Sequence, residues 1–126
     1  MSRIQIQLLF LCLVLTSPAW AEWVKVADHS EGILYIDPAT MRKDGNLRKV
    51  WTLSNLKKRT KNGELSIRSR QEIDCKEERI RILSASSHTD FWTDGKEIFH
   101  TDAIANWYEV PPNTDLQKSL QIVCTK

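Results

Sequence analysis

Glu72-Ile73-Asp74-Cys75-Lys76-Glu77-Glu78-Arg79-Ile80-Arg81 reads as a β-hairpin folded back on itself. If Lys76-Glu77 forms a two-residue turn, Asp74 faces Arg79, Ile73 faces Ile80 and Glu72 faces Arg81. Opposite charges then meet on one face of the ribbon and two isoleucines on the other, and each pairing favours this register. Lys-Glu is not a favoured tight-turn pair, so a longer turn with a shifted register stays open.

Upstream of the hairpin, Leu65, Ile67 and Ile73 fall on one face of its first strand, with Arg68, Arg70, Glu72 and Asp74 on the other. Residues 57–63, Lys-Lys-Arg-Thr-Lys-Asn-Gly, form a basic loop. Before it, residues 47–57 make a long strand with Trp51 and Leu53 on one face and Val50 and Thr52 on the other. Asp44-Gly45-Asn46 is a break, and residues 39–43 are expected to make one helical turn. Asp37-Pro38 stops the β-branched and aromatic run Ile33-Leu34-Tyr35-Ile36. Trp23-Val24-Lys25-Val26-Ala27 alternates apolar and polar, the mark of a half-buried strand, and residues 29–32 turn it into the next.

Downstream, Asp94-Gly95 suits a type I′ hairpin turn between a strand ending at Trp92 and one starting at Lys96. Asn106-Trp107-Tyr108-Glu109-Val110 reads as a short strand ended by Pro111-Pro112. Leu116, Leu120, Val123 and Cys124 then recur at helical spacing, with Asn113 or Thr114 as cap and Asp115 in the first turn. The expected fold is α+β: an antiparallel sheet of about five or six strands, a C-terminal α-helix packed on it over residues 115–124, and one disulfide.

Residues 1–21 have the layout of a cleavable signal peptide: Arg3, an apolar run, and Ala19-Trp20-Ala21 at the exit. The run is shorter than the roughly 20 apolar residues that span a bilayer. Phe10-Leu11 before Cys12 is a poor lipobox, so Cys12 is read as part of the discarded segment. Residues 22–126 are then one small domain. Removing Arg3 from the 18 basic residues leaves 17 against 16 acidic. A nearly neutral domain is not built as a general nucleic-acid binder. Two cysteines remain, Cys75 and Cys124, and an even count in an oxidising compartment argues for pairing. They lie 49 positions apart, which makes the closed loop long enough to stabilise by about 4 kcal/mol in the chain-entropy model.

Little in the sequence points to catalysis. His29, His88 and His100 form no His-x-x-x-His pair. With Asp94-Gly95 as the turn, His100 falls opposite Thr89, and His88 and His100 point to opposite faces, which excludes a metal centre between them. Ser84, Ser86 and Ser87 lack a nucleophile elbow, and no phosphate-binding glycine loop is present. No catalytic residue, metal or cofactor is expected. Lys57, Lys58, Arg59 and Lys61 would suit an anionic partner such as a sulfated glycan or an acidic protein surface. The competing reading is a solvated loop that blunts a sheet edge. Trp51 and Trp107 read as core anchors. Phe91-Trp92 abuts a turn, where one ring must face away from the core if the strand is covered on one side only; the pair reads as a binding surface, with ordinary packing beneath a loop as the competing reading.

Taken together, several of these residues resemble a known family. They are Trp23, Tyr35-Ile36-Asp37, Val50-Trp51-Thr52-Leu53, Glu72-Ile73-Asp74-Cys75 with Arg79 and Arg81, Trp107 with Val110-Pro111, and Val123-Cys124. The set is similar to the surface-adhesin protein E-like domain of exported proteins of Gram-negative bacteria, over nearly all of residues 22–126. The resemblance implies an antiparallel sheet with a C-terminal helix tied to it by a disulfide. It also implies a surface adhesin that binds host proteins such as vitronectin, laminin and plasminogen. A C-terminal lysine, Lys126, offers the ammonium and carboxylate that kringle pockets of plasminogen accept.

Three functional readings follow: an exported non-enzymatic binding domain with a protein or glycan ligand, a host-factor adhesin, and an unrecognised hydrolase. The periplasm is the expected compartment, with secretion or the cell surface as alternatives. Neither a nucleic-acid partner nor a transmembrane segment is expected. Intact-mass measurement of the exported protein is expected to give an N-terminus at Glu22 and no acyl chain. A species beginning at a diacylated Cys12 would reverse that assignment.

Overall fold

The structure, a computed structural model, describes residues 22–125. Its strands are β1 Val24–Asp28, β2 Gly32–Asp44, β3 Leu47–Leu56, β4 Ser66–Asp74, β5 Arg79–His88, β6 Glu97–Thr101 and the two-residue β7 Tyr108–Glu109; helix α1 is Asp115–Cys124. The sheet is antiparallel in the order β1-β2-β3-β4-β5-β6, with β7 also paired to β5. This meander places each of β1 to β6 beside its sequence neighbour.

The β4–β5 hairpin has the expected register: Asp74 pairs with Arg79, Ile73 with Ile80 and Glu72 with Arg81. The connection is longer than two residues, however. Residues 75–78 lie outside the ladder, and Glu78 takes a left-handed φ of 52°. The longer turn keeps the register because it grows symmetrically about the same midpoint. Asp74 organises it. Its Oδ1 accepts from the backbone N–H groups of Lys76 and Glu77, both at 3.1 Å, and its Oδ2 accepts from Arg79 Nε at 3.2 Å. The Glu77 N–H, and then Arg79, hold the Asp74 carboxyl below its ordinary range.

Residues 39–43 are not a helical turn. β2 continues through Pro38 to Asp44, with its pairing to β3 interrupted between Asp37 and Arg42. Proline has no N–H for a ladder, and an irregularity is where a strand accommodates one. Side chains fill the gap. Asp37 Oδ1 accepts from Ala39 N, and Thr40 Oγ1 accepts from Trp51 N at 3.1 Å in place of a strand carbonyl.

Asp94-Gly95 is not a two-residue hairpin turn either. β5 ends at His88, a 3-10 turn spans Phe91–Thr93, and β6 begins at Glu97. Asp94 N donates to Phe91 O and Asp90 N to Asp94 O, which closes the wider loop on itself. Gly95 has φ 74°, and a Cβ there would collide with Thr89 Oγ1 and Asp90 Oδ2. The glycine thus serves close packing inside the loop. His100 consequently pairs with Ser86, not Thr89, and it shares a face and a groove with His88.

α1 forms where the periodicity placed it. The Thr114 side chain accepts from Gln117 N, and Leu120 and Val123 are buried. They meet Ile36, Val50, Ile73 and Ile80 in the core. α1 packs on β1 and β2, and Cys124 is joined to Cys75 with 5.7 Å between Cα atoms. Farther across the sheet, Ile67, Ile82 and Phe99 are exposed. Because the disulfide ties the only helix among the described residues to the hairpin beneath it, Cys75→Ser and Cys124→Ser are each expected to destabilise the protein by about 2–5 kcal/mol, and by similar amounts. Urea unfolding of the two variants against the oxidised wild type measures this.

Candidate functional site

The face of the sheet away from α1 has no helix over it, yet Leu53 on that face is fully buried. The loop carrying Phe91–Thr93 packs there, against β3 and β4. Its backbone is unusual. Trp92 and Thr93 both have left-handed φ, 61° and 63°. Such conformations in non-glycine residues cost on the order of 1–3 kcal/mol each and persist only where the surroundings hold them.

Two buried polar residues do the holding. Asn55 Oδ1 accepts from Trp92 N at 2.9 Å. Ser66 Oγ accepts from Thr93 N at 3.0 Å and donates to Asp90 O at 2.6 Å. Asn55 and Ser66 are direct cross-strand partners, so one rung of the β3–β4 ladder clamps the loop.

The clamp displays aromatic surface. Phe91 and Trp92 are 47 % and 45 % exposed, although large apolar side chains are usually sequestered. Trp92 rests against Tyr35, with ring centroids 4.7 Å apart. Phe91, Trp92, Ile33, Leu56, Asn55 and Lys57 line a groove of about 220 Å³. Lys57 and the aromatic pair, 34 positions apart, therefore meet at one site.

The basic stretch divides. Lys57 Nζ binds Asp28 at 2.6 Å, and this hydrogen bond lowers the Asp28 carboxyl below its ordinary range. Arg59 donates to the carbonyls of Gly63 at 2.8 Å and Thr89 at 2.6 Å, tying the basic loop to the aromatic one. Lys58 and Lys61 are exposed. Lys126 lies outside the described residues, as do Cys12 and the signal segment.

Trp51 and Trp107 are not core anchors. Both are half-buried and serve as plates under arginines: Arg68 lies 4.1 Å over Trp51, and Arg79 and Arg81 lie 4.6 and 4.4 Å over Trp107. Arginines from β4 and β5 reach the Trp51 and Trp107 rings respectively, so each ring attracts a guanidinium where a core would require a hydrocarbon.

The histidines stand apart chemically. His29 Nε2 lies 3.5 Å from Asp115, and His100 sits between Asp102 at 3.0 Å and Glu97 at 3.3 Å. The Asp102 hydrogen bond, reinforced by Glu97, raises the His100 pKa above its ordinary value. Ser86 Oγ and His88 Nε2 are 3.0 Å apart, but among the described residues no carboxylate bonds His88 to orient it as a catalytic base. No three His, Cys, Asp or Glu side chains among the described residues are grouped to hold a metal.

The fold is that of a meandering antiparallel sheet with a disulfide-tethered C-terminal helix, the architecture of a surface-adhesin type of domain. The chain belongs to the Surface-adhesin protein E family, which it matches over residues 23–125. Among solved structures, it is similar to Haemophilus influenzae protein E, with a TM-score of 0.65 at 17 % identity over 88 % of this chain and 91 % of that one. A second crystal form of that protein gives 0.61 at 18 % identity, over 85 % and 97 %. Protein E from non-typeable Haemophilus influenzae gives 0.64 at 17 %, over 87 % and 80 %. No curated protein matches the chain by sequence. Among the described residues, no helix is long and apolar enough to cross a membrane.

Phe91, Trp92 and the basic stretch were legible as candidates in the sequence; Asn55, Ser66 and Tyr35 were not singled out. The available signal was Asn55, a polar residue on the face of β3 that carries Trp51 and Leu53. Asn55→Ala removes the acceptor for Trp92 N. It is expected to cost about 1–3 kcal/mol and to speed hydrogen exchange at the Trp92 and Thr93 amides, while exchange in α1 stays slow.

Proposed function

We propose that this protein is a non-enzymatic binding domain that captures an extracellular protein partner through the Phe91-Trp92 groove. The observation that carries the reading is the aromatic pair itself: two large rings, each about half exposed, presented on left-handed backbone that a buried Asn–Ser rung holds in place. Rigid aromatic anchors lose little entropy on binding and dominate interface energetics. Exposed Lys58 and Lys61 follow Lys57, which lines the groove, in the same basic loop. They speed encounter with an acidic surface and make it salt-sensitive.

The family supports partners of the host matrix and plasma, and vitronectin, laminin and plasminogen are the ones to test. The purified protein is expected to bind at least one of them in surface plasmon resonance. Trp92→Ala and Phe91→Ala should each weaken capture at least about tenfold, the scale of an anchor residue, and Lys58→Glu should mainly slow association. Absence of binding to all three, or unchanged affinity in both aromatic variants, overturns the reading. Plasminogen capture that survives Trp92→Ala and vanishes on deleting Lys126 would move recognition to the tail.

A further inference from the structure

We infer that the sheet face opposite α1 carries a second binding site, for the carboxylate of an acidic sugar, with Arg68 as the residue that reads it. The site is a groove of about 260 Å³ on the far side of the aromatic loop, lined by Trp51, Arg68, Ser84, Ser86, His88 and His100 among others. It does not depend on the Phe91-Trp92 groove, with which it shares no lining residue.

Arg68 is set apart by combining a buried, unpartnered Nε with a guanidinium stacked on a ring: Arg48 Nε is also buried without a partner, but its Nη1 donates to carbonyls, and Arg70, likewise without an acceptor among the described residues, has neither the buried Nε nor the ring. Among the described residues, Arg42, Arg48 and Arg59 donate to backbone carbonyls. Arg79 and Arg81 bind Asp74 and Glu72. Arg68 lies over the Trp51 ring with no hydrogen-bond acceptor, and its Nε is buried without a partner. A guanidinium with a desolvated, unpartnered Nε is costly, and its Nη groups, which are not buried, are the ones a planar carboxylate can reach. Trp51 orients the guanidinium beneath, as a preorganised donor requires.

The acid on the groove wall does not meet that need. Glu97 is turned to His100 Nδ1 at 3.3 Å, and Asp102 holds the other ring nitrogen at 3.0 Å. The remaining lining matches a sugar ring. Hydroxyls of Ser84 and Ser86 and the His88 imidazole both donate and accept, which suits vicinal hydroxyl groups. The Ser86–His88 contact at 3.0 Å fixes two of these groups in place. A peptide carboxylate would satisfy Arg68 but leave this polar wall unused.

The test is titration of the purified, isotope-labelled protein with glucuronate, followed by NMR. The expected result is saturable binding in which the Arg68 guanidinium N–H signals move downfield and the Trp51 indole signal shifts. Glucose should give no saturable shift. Arg68→Gln should abolish the response, and Arg68→Lys should weaken it at least tenfold, with α1 and disulfide signals unchanged. The wild-type Arg68 signal decides the matter even if a variant fails to fold. Unmoved guanidinium signals, or glucuronate binding retained in folded Arg68→Gln, overturn the site. Equal binding of a glutamate-containing tripeptide overturns the sugar assignment, and tighter binding of glucose 6-sulfate overturns the carboxylate.

Discussion

A ten-residue helix has to serve a sheet six strands wide. At 1.5 Å per residue the helix is about 15 Å long, whereas six strands at about 4.8 Å spacing span roughly 24 Å. One helix cannot cover even one face. The Cys75–Cys124 bond settles where its limited cover goes, drawing Leu120 and Val123 onto Ile36, Val50, Ile73 and Ile80. Everything beyond that patch must be stabilised by other means or left open to solvent. In a domain this small, a covalent staple supplements what so narrow a core contributes.

The opposite face shows the other means. Its buried carboxylates, Asp74 and Glu72, are matched by Arg79 and Arg81, and those guanidinium groups are capped by Trp107. Flat cations over flat rings make a layer that is apolar in packing and polar at its edge. The loop of residues 89–95 closes part of the remainder, and the rung formed by Asn55 and Ser66 is its fastening. The segment that displays Phe91 and Trp92 is therefore also structural cover, held without a helix behind it.

Patterns local in sequence were readable. The Ile73–Ile80 register and the helix at residues 115–124 each follow from residues that sit side by side or one turn apart. What escaped depended on partners far along the chain. Trp51 looks like a core residue until Arg68 is placed over it, 17 positions away in the next strand. Asp94-Gly95 carries a strong turn signal, but hydrogen bonds from the loop backbone to Asn55 and Ser66 select a wider loop that no local propensity encodes. The Pro38 break was visible; its absorption by Thr40 at the Trp51 N–H was not. Phe91 and Trp92 were legible as a pair, and the groove that joins them to Lys57 was a product of folding.

The disulfide also makes residues 75–124 a covalent ring, and Phe91-Trp92 lies inside it. The connection at residues 102–106 is exposed and belongs to no strand or helix, the kind of segment proteases cut first. A single cut there opens the ring without releasing a fragment. The aromatic loop stays attached on one side through β5 and Cys75, and α1 on the other through Cys124. For an exported protein, a chain nicked there remains one molecule with Phe91 and Trp92 still attached.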